Sequence, residues 1–525
     1  MKRSDWLVLA AIQLGLVLLV APYQRIPGNI DADYYFMGGL RLVQGHGFTE
    51  NYIWNYFNDI AALPQPSHGY WMPLASLLTA VGMVLTGSQT FAAGRLAFIF
   101  LAALMPPLTA APAYRLTTRR DLAFLAGLVA ICSGFYFPYL SVTENYSIFM
   151  VLGALYLLTL HRTPPSAYFI LGVLSGLLSL ARSDGLLWLL LTLLLIAVRW
   201  WQDGQPRLTK PQLAMLTTNL LLALSGFLLI MLPWFLRNLS VFGSIMPPGT
   251  RRTLWLTEYY QTFIYPGSAL TLESWLASGW DAILAVRMDA IARAINNIFI
   301  VQGVLVLMPF MLLGAWTLRK DARVRMGLLA WLGLIMAFTV VFPLAGIRGS
   351  YIHAVCAVQP LLYALAPVGL QQLLDFLKRG RPARLPHLNL IVHGALIALA
   401  GFVTYSSITA LVYVNGWQRG ELTYPAVEAF LVQQGIRPDE PVMVVNPPGY
   451  TMMTERPAVM FPYGGEDSVL AVAEKFQVRF IAIKGDSVNS NAHFNALYDQ
   501  PDLYPAVELV GQVDDVKVYR VKATP

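Results

Sequence analysis

The sequence predicts a mainly α-helical protein that crosses a membrane many times and ends in a small α/β domain. Apolar residues make up 56% of its 525 residues and charged residues only 12%, which is about half the charged fraction of a soluble domain. Apolar runs of roughly 18 residues or more recur along residues 1–415, and runs of that length are typical of membrane helices. From residue 416 to 525, short β-rich runs alternate with helical stretches, which predicts the second domain.

The chain begins with Lys2 and Arg3, followed by an apolar run from Trp6 to Val20. No small-residue cleavage site follows this run, so it predicts an uncleaved anchor with its N-terminus in the cytoplasm. Residues 22–90 then form a first outer loop rich in Tyr, Trp and Asn.

An apolar run at 70–85 lies within this first outer loop. If it crossed the membrane, the basic cluster at 115–120 would fall outside, against the positive-inside rule. We therefore expect residues 70–85 to form an interfacial helix instead of a span.

The later apolar runs bring the predicted total to about eleven spans, with a basic loop at each turn placed inside. The C-terminal domain then lies outside an inner or plasma membrane. The net charge of +7 is explained by these basic loops, so it does not indicate nucleic-acid binding. The two cysteines lie within apolar runs, which predicts neither a disulfide framework nor a cysteine metal site. The later runs are 91–113, 121–138, 145–160, 166–181, 185–200, 212–232, 297–318, 326–345, 350–372 and 388–414.

Polar groups at the outer mouth of this bundle are the candidate functional residues, and the first are Asp31 and Asp33. Phe36, Leu40 and Val43 follow them at helical spacing, which indicates an acidic site above an interfacial helix. The alternative is that an aspartate simply caps this helix.

Further polar residues fall on the same side under the same topology. Glu144 opens the span 145–160, where the alternative is a favourable charge at a helix N-terminus. Arg182 and Asp184 occupy the turn before the span 185–200, and their alternative is a local ion pair. Arg237 follows the span 212–232, where arginines often only extend toward the interface.

Two further groups of candidates lie in outer loops. Arg348 lies in a short outer turn with Tyr351 and His353, and a cation there goes against the orientation rule, which favours a functional cause. His68 and Tyr70 precede the interfacial helix, although a lone loop histidine often has no special role. The convergence of acids and bases at one mouth is typical of an active site.

Several of these stretches resemble one family, the GT-C-fold membrane glycosyltransferases, which include protein O-mannosyltransferases and lipid A aminoarabinose transferases. The family's adjacent acidic pair is replaced here by Asp31 and the displaced Asp33, and His68 stands where some relatives carry lysine. The matching stretches are Asp31-Ala32-Asp33-Tyr34-Tyr35 with Arg41, Gly45-His46-Gly47-Phe48, Pro66-Ser67-His68-Gly69-Tyr70-Trp71, Phe91-Ala92-Ala93-Gly94-Arg95-Leu96, Thr143-Glu144, Ala181-Arg182-Ser183-Asp184-Gly185, Pro233-Trp234-Phe235-Leu236-Arg237-Asn238 and Gly349-Ser350-Tyr351.

The resemblance implies transfer of a sugar from a polyprenyl-phosphate donor to a lipid, glycan or protein acceptor outside the membrane. The acceptor hydroxyl needs a base, for which Asp31 is the first candidate, with Asp33 and Glu144 as further site acids. The anionic leaving group needs cations. No ligand spacing compels a metal, although Asp31, Asp33 and Glu144 can share a divalent cation. Candidate donor-phosphate ligands are Arg237, Arg348, His68 and Arg182, and candidate substrate-lining residues are Tyr34, Tyr35, His46, Tyr70, Tyr351 and His353.

Two other classes of protein fit the composition. A transporter of lipid-linked sugars or polysaccharides would carry polar residues near the bilayer midplane and a repeat between its halves, whereas the span centres here are apolar. A membrane scaffold would act through its C-terminal domain. That domain shows no Gly-rich phosphate loop, so the sequence predicts no nucleotide or phosphate site there.

Overall fold

The computed structural model describes residues 1–58, 60–203, 209–378, 387–417, 420–485 and 492–522. Up to Ile408, nineteen described α-helices make up most of the chain. They are α1 Arg3–Val20, α2 Ile30–Val43, α3 Leu74–Thr86, α4 Phe91–Gly94, α5 Leu96–Thr117, α6 Arg120–Ile131, α7 Asn145–Thr159, α8 Pro165–Ala181, α9 Leu186–Asp203, α10 Lys210–Phe242, α11 Pro248–Arg252, α12 Leu272–Ala277, α13 Trp280–Asn297, α14 Met308–Thr317, α15 Ala322–Met336, α16 Pro343–Ile347, α17 Ser350–Val355, α18 Gln359–Lys378 and α19 Leu388–Ile408.

Seven helical segments among the described residues are long and apolar enough to cross a membrane, and four shorter apolar helices accompany them. The predicted fold class is thereby confirmed, whereas the total of about eleven spans stays a prediction. The long segments are Arg3–Tyr23, Phe91–Thr117, Ser183–Gln202, Lys210–Phe242, Ala322–Val341, Gln359–Lys378 and Leu388–Val414, and the shorter helices are α3, α7, α8 and α14.

Several helices depart from the predicted bounds. Helix α10 continues to Phe242, past the predicted end at 232, with Pro233 inside it, because membrane helices tolerate proline where neighbours satisfy the freed backbone groups. The predicted span 350–372 is instead α17 and α18, separated by a short turn at 356–358. Three π-helical segments, Ile298–Gln302, Ala337–Val341 and Thr409–Val414, extend other helices.

Close helix contacts determine where the functional side chains lie. Helices α8 and α10 pack through Gly172 and Gly226, where a Cβ on either glycine would collide with the facing backbone carbonyl of Ala223 or Phe169. Small residues at such contacts let membrane helices approach closely. This packing places the C-terminal end of α8, and with it Arg182, beside the first loop (residues 22–90).

Within the first loop, α2 lies buried on α3. A Cβ on Gly39 of α2 would lie 2.9 Å from the backbone oxygen of Ser76 in α3. Helix α3, in the region predicted as an interfacial helix, ends at Gly87, whose φ of +65° is the left-handed conformation typical of a helix C-terminus.

The C-terminal region contains an α/β arrangement whose sheet has six described strands. These strands are β2 Tyr52–Ile53, β4 Val442–Val444, β5 Ala458–Met460, β6 Phe480–Lys484, β7 Val507–Val513 and β8 Val516–Val521, and the helices are α20 Tyr424–Gln433, α21 Pro447–Thr454, α22 Glu466–Phe476 and α23 Ala492–Asp499. Strand order is β2-β5-β4-β6-β8-β7, with parallel pairing from β2 to β6 and antiparallel pairing through β8 and β7. Strands β1 Thr49–Glu50 and β3 Gln65–Pro66 form a separate antiparallel pair in the first loop.

The edge strand β2 comes from the first loop and not from the C-terminal region. Tyr52 pairs with Ala458 and Ile53 with Val459 of β5. Nearby, the hydroxyl of Tyr56 donates to the backbone oxygen of Met460. The sheet thus joins the first loop to the region after residue 416.

Candidate active site

A cavity of about 430 Å³ lies where the first loop meets the turn between α8 and α9. Six of the predicted site residues lie on its wall and are brought together there. They are Asp31, Tyr35, Tyr70, Arg182, Arg348 and His353.

Asp31 lies in the first turn of α2 and is not the residue that caps it. Asn29 is the cap, since its side-chain oxygen accepts a hydrogen bond from the backbone N–H of Ala32 at 2.9 Å. Burial raises the pKa of Asp31 to about 6, against the opposing charge of Arg182 and a hydrogen bond from Trp71. The carboxyl group lines the cavity.

Glu144 caps helix α7, because its side chain accepts a hydrogen bond from the backbone N–H of Asn145 at 3.1 Å. Its Oε2 also lies 3.7 Å from Nδ1 of His353. Burial, and next the charge of Asp31, raise the pKa of Glu144 well above its ordinary value. Each of Asp31, Glu144 and His353 offers one metal-ligand atom, and these three atoms lie within 4.8 Å of one another.

The ring of His353 is held by Tyr146 of α7. The two rings stack with centroids 4.2 Å apart, and Nε2 of His353 lies 2.8 Å from the Tyr146 hydroxyl. This contact fixes the ring so that Nδ1 points toward Glu144, and such partners commonly orient a metal-binding imidazole.

Arg182 forms an ion pair with Asp184 in the turn between α8 and α9, with Nε 2.8 Å from Oδ1. This is the local pair that the sequence offered as the alternative to a functional role. The pair is buried, at 12% and 11% side-chain exposure, and Arg182 also donates to the backbone oxygen of Ser350 at 3.3 Å. Both side chains line the cavity, so the pair is local in sequence yet faces the same space as Asp31.

Arg348 lies on the same cavity wall. Its guanidinium donates to the hydroxyl of Tyr260 at 2.7 Å and lies 4.0 Å from the ring centroid of Tyr259, a distance typical of a cation–π contact. These contacts orient the guanidinium while it remains on the cavity wall with Arg182.

Other predicted site residues belong to a buried cluster outside the cavity lining. Arg237 donates to the backbone oxygen of Ser67 at 2.7 Å and lies over the ring of Trp234. His68 lies between the hydroxyls of Ser67 and Ser76, and burial lowers its pKa to about 3. His68 is therefore neutral at physiological pH, and these two residues hold the first loop together.

The remaining candidates also lie away from the cavity lining. The hydroxyl of Tyr34 accepts from the backbone N–H of His68 at 2.6 Å, and the buried Tyr351 donates to Gln302 at 3.0 Å. His46 is exposed on the first loop. Asp33 is fully buried and its side chain meets the C-terminal region.

Glu50 is a buried acid that sequence reasoning missed. Its Oε1 accepts from Gln65 at 2.8 Å, and burial raises its pKa to about 8. A single glutamate in an irregular loop carries no periodic signal, so only its position in the structure singles it out.

Sequence reasoning also missed an aromatic wall of the cavity formed by Trp54, Trp71 and Tyr259. The rings of Trp54 and Trp71 lie with centroids 4.0 Å apart. The richness of the first loop in Tyr and Trp was the available signal, but it does not tell which rings face the cavity.

No protein-family model and no curated protein sequence matches the chain. Solved structures do match its fold. The oligosaccharyltransferase of Archaeoglobus fulgidus in complex with Zn and sulfate has a TM-score of 0.60 at 13% identity, over 95% of this chain and 70% of that one.

A second solved protein matches over its whole length. ArnT from Cupriavidus metallidurans has a TM-score of 0.59 in the apo state at 13% identity, over 98% of each chain. Bound to undecaprenyl phosphate it has a TM-score of 0.55 at 13% identity, over 100% of this chain and 99% of that one. This integral membrane protein therefore has the GT-C fold.

Proposed function

We propose that this chain is a glycosyltransferase that moves a sugar from a polyprenyl-phosphate-linked donor to a lipid, glycan or protein acceptor at the outer face of the membrane. The observation that carries the proposal is that Asp31, Arg182 and Arg348 line one cavity. The fold adds support, because ArnT has the same fold over its full length and binds undecaprenyl phosphate.

The two arginines suit the leaving group of such a reaction. Polyprenyl phosphate departs as a stable anion, so the site must stabilise negative charge and needs no acid to protonate it. Arginine forks match phosphate oxygens in a bidentate way. Arg182 and Arg348 are already oriented by Asp184 and Tyr260, so they lose little freedom on binding.

Asp31 suits the acceptor side of the reaction. A carboxylate with a pKa of about 6 is ionised at neutral pH and still basic enough to take a proton from a hydroxyl as the new bond forms. The other acid of the pair, Asp33, does not line the cavity, so Asp31 is the base we propose.

The rest of the cavity suits the lipid. Its wall at the π-helical segment Ala337–Val341 and the residues beyond is apolar, with Phe338, Val341 and Phe342 among the lining residues. We place the first isoprene units there, beside the arginines that receive the phosphate.

We further propose that Asp31, Glu144 and His353 hold a divalent cation. Two carboxylates and one imidazole are the nitrogen and oxygen donors that zinc or manganese accepts. Nδ1 of His353 is buried without a hydrogen-bond partner among the described residues, which fits a metal ligand. A bound cation would supply Lewis-acid stabilisation of developing negative charge.

Purified protein incubated with a labelled polyprenyl-phosphate sugar and membrane lipids tests the proposal. Release of polyprenyl phosphate together with a labelled acceptor is expected. Translocation of intact donor in vesicles without release would favour the transporter, and neither outcome across a donor panel would favour the scaffold. A chelator arm with back-titration of Zn²⁺ or Mn²⁺ tests the cation, and full activity after chelation would contradict it.

A further inference from the structure

The second acid of the Asp31–Asp33 pair meets the C-terminal region. Asp33 has no exposed surface, and its Oδ2 accepts a hydrogen bond from the side-chain amide of Asn446 at 3.0 Å. The two residues are 413 positions apart in the chain. A residue of the C-terminal sheet region thus contacts the same helical turn that carries Asp31.

Asn446 is itself firmly placed. It follows strand β4 and caps helix α21, since its side-chain oxygen accepts from the backbone N–H of Gly449 at 3.1 Å. Its amide oxygen and amide nitrogen therefore have separate partners, one in its own helix and one in α2. A Cβ on Gly449 would lie 2.8 Å from Oδ2 of Asp33, so the two helices meet in close contact.

The other contacts to this turn come from nearer in the chain. Asn29, the residue before α2, caps the helix N-terminus. The hydroxyl of Thr143 donates to the backbone oxygen of Ala32 at 2.8 Å. Burial, and next the charge of Glu421, raise the pKa of Asp33 well above its ordinary value. A buried acid in such a place gains much from a hydrogen-bond donor, and Asn446 supplies one.

We propose that Asn446 is a positioning residue for sugar transfer: by holding Asp33, it orients the first turn of α2 so that Asp31 faces the cavity. This inference rests on the proposed function. It makes the C-terminal region part of the catalytic machinery without giving it a chemical step. Displacement of a reacting group by about 1 Å can cost on the order of 10²-fold in rate.

The variant Asn446→Asp separates the two roles of this side chain. Aspartate caps helices as well as asparagine does, so α21 remains capped. The amide donor is replaced by an acid facing Asp33. The two carboxyl groups then either repel each other or share one proton, and neither arrangement keeps the wild-type contact. We expect kcat to fall by up to about 10²-fold, with little change in the KM for donor, because Arg182, Arg348 and the apolar wall are untouched.

The double variant Asp33→Asn with Asn446→Asp exchanges donor and acceptor and rebuilds the contact. We expect it to recover most of the lost kcat. The control Tyr463→Phe removes a different hydrogen bond between the C-terminal region and the chain, that of the Tyr463 hydroxyl with Glu258 at 2.9 Å, and should keep the wild-type kcat. A folded Asn446→Asp protein with wild-type kcat, or a double variant no better than Asn446→Asp, would overturn the proposal.

Amide hydrogen exchange provides a readout that does not depend on turnover. In Asn446→Asp, residues 30–35 should exchange faster than in the wild type, and the double variant should restore protection. Unchanged exchange there would overturn the positioning role even if the chain proves to be a glycosyltransferase. Faster exchange in a protein that releases no polyprenyl phosphate would instead remove only the proposed function.

Discussion

Asp31 and Asp33 have identical side chains, but their positions on α2 give them different surroundings. Residues two apart on a helix do not share a face, so one carboxyl group faces the cavity and the other faces Asn446. Burial raises the pKa of both carboxyl groups, to about 6 for Asp31 and well above its ordinary value for Asp33. Their separation by Ala32 thus directs one carboxyl group to the cavity and the other to the C-terminal region.

Replacing Asp31 by Asn tests the base directly. The substitution keeps the size of the side chain and removes its charge, and the helix cap at Asn29 is untouched. A general base typically contributes about 10²–10⁴-fold, so turnover should fall by about that factor with the melting temperature unchanged.

The matched control is Asp33→Asn, which should cost less because its amide still fits beside Asn446. Near-wild-type turnover in Asp31→Asn would exclude that residue as the base and make Glu144 the next carboxylate to test.

Arg348→Ala should raise the KM for donor by about 10–100-fold, since a hydrogen bond to a charged group is worth roughly 1.5–3 kcal/mol. Arg348→Lys should recover only part of the loss, because lysine lacks the fork geometry. Steady-state kinetics over a donor series measures both variants. The control is Arg293→Ala, which removes an exposed arginine paired with Asp289 in α13. A donor KM equal to that of the wild type in Arg348→Ala would remove Arg348 from the donor site.

The buried side chain of Glu50 should make the free energy of unfolding depend on pH. Its pKa is raised from 4.5 to about 8 in the folded protein, so the folded state keeps a proton that the unfolded state loses. The free energy of unfolding should therefore fall as pH rises from about 4.5 to about 8 and then level off. Thermal unfolding in detergent across this range should show a shallower decline in Glu50→Gln. Identical slopes in the two proteins would contradict this assignment.

At the scale of elements, the close packing of α21 on α2 can be tested by substitution. Gly449→Ala would press a methyl group against the side-chain amide of Asn446 and bring it to within 2.8 Å of Oδ2 of Asp33, and overpacking typically costs about 1–3 kcal/mol. We expect a lower melting temperature together with lower turnover. Gly420→Ala, where nothing lies within 4 Å of the added Cβ, is the control and should be neutral. Equal stability of the two variants would show that α21 can move away from α2 freely.

Elements were predictable from the sequence where their signal is local. Hydropathy located α1, α5, α9 and α19 because a long apolar run is a strong signal in itself. Strand β2 has only two residues, and its partner β5 lies about 400 residues later in the sequence. A strand this short has no detectable periodicity, so the sequence does not predict it. The aromatic cavity wall and Glu50 escaped prediction for the same reason, since their roles depend on distant partners.

For the whole molecule, the fold class followed from composition, and the grouping of Asp31, Arg182, Arg348 and His353 followed from one topology. Asn446 did not follow, because Asn446-Pro447-Pro448-Gly449 is a pattern typical of a turn, and the partner of Asn446 lies 413 residues away. Membrane topology collects side chains on one side of a bilayer, but it does not specify which of them touch.

The orientation of the molecule has a direct test. In a background with Cys132 and Cys356 replaced by Ala, cysteines at Gly47 and Glu273 should react with an impermeant reagent from outside intact cells. A cysteine at Thr118, beside a basic cluster, should react only after the membrane is opened. Labelling of the Thr118 cysteine in intact cells would reverse the topology and place the cavity on the cytoplasmic side.

The pairing of β2 with β5 has a consequence for biosynthesis. A ribosome delivers the first loop long before it delivers β5 and Asn446, so the loop must wait through the synthesis of nearly all the membrane helices with an unpaired strand edge. Such edges are recognised by other chains and attract aggregation. Premature termination would therefore leave this strand edge permanently unpaired, as a site at which other chains can aggregate.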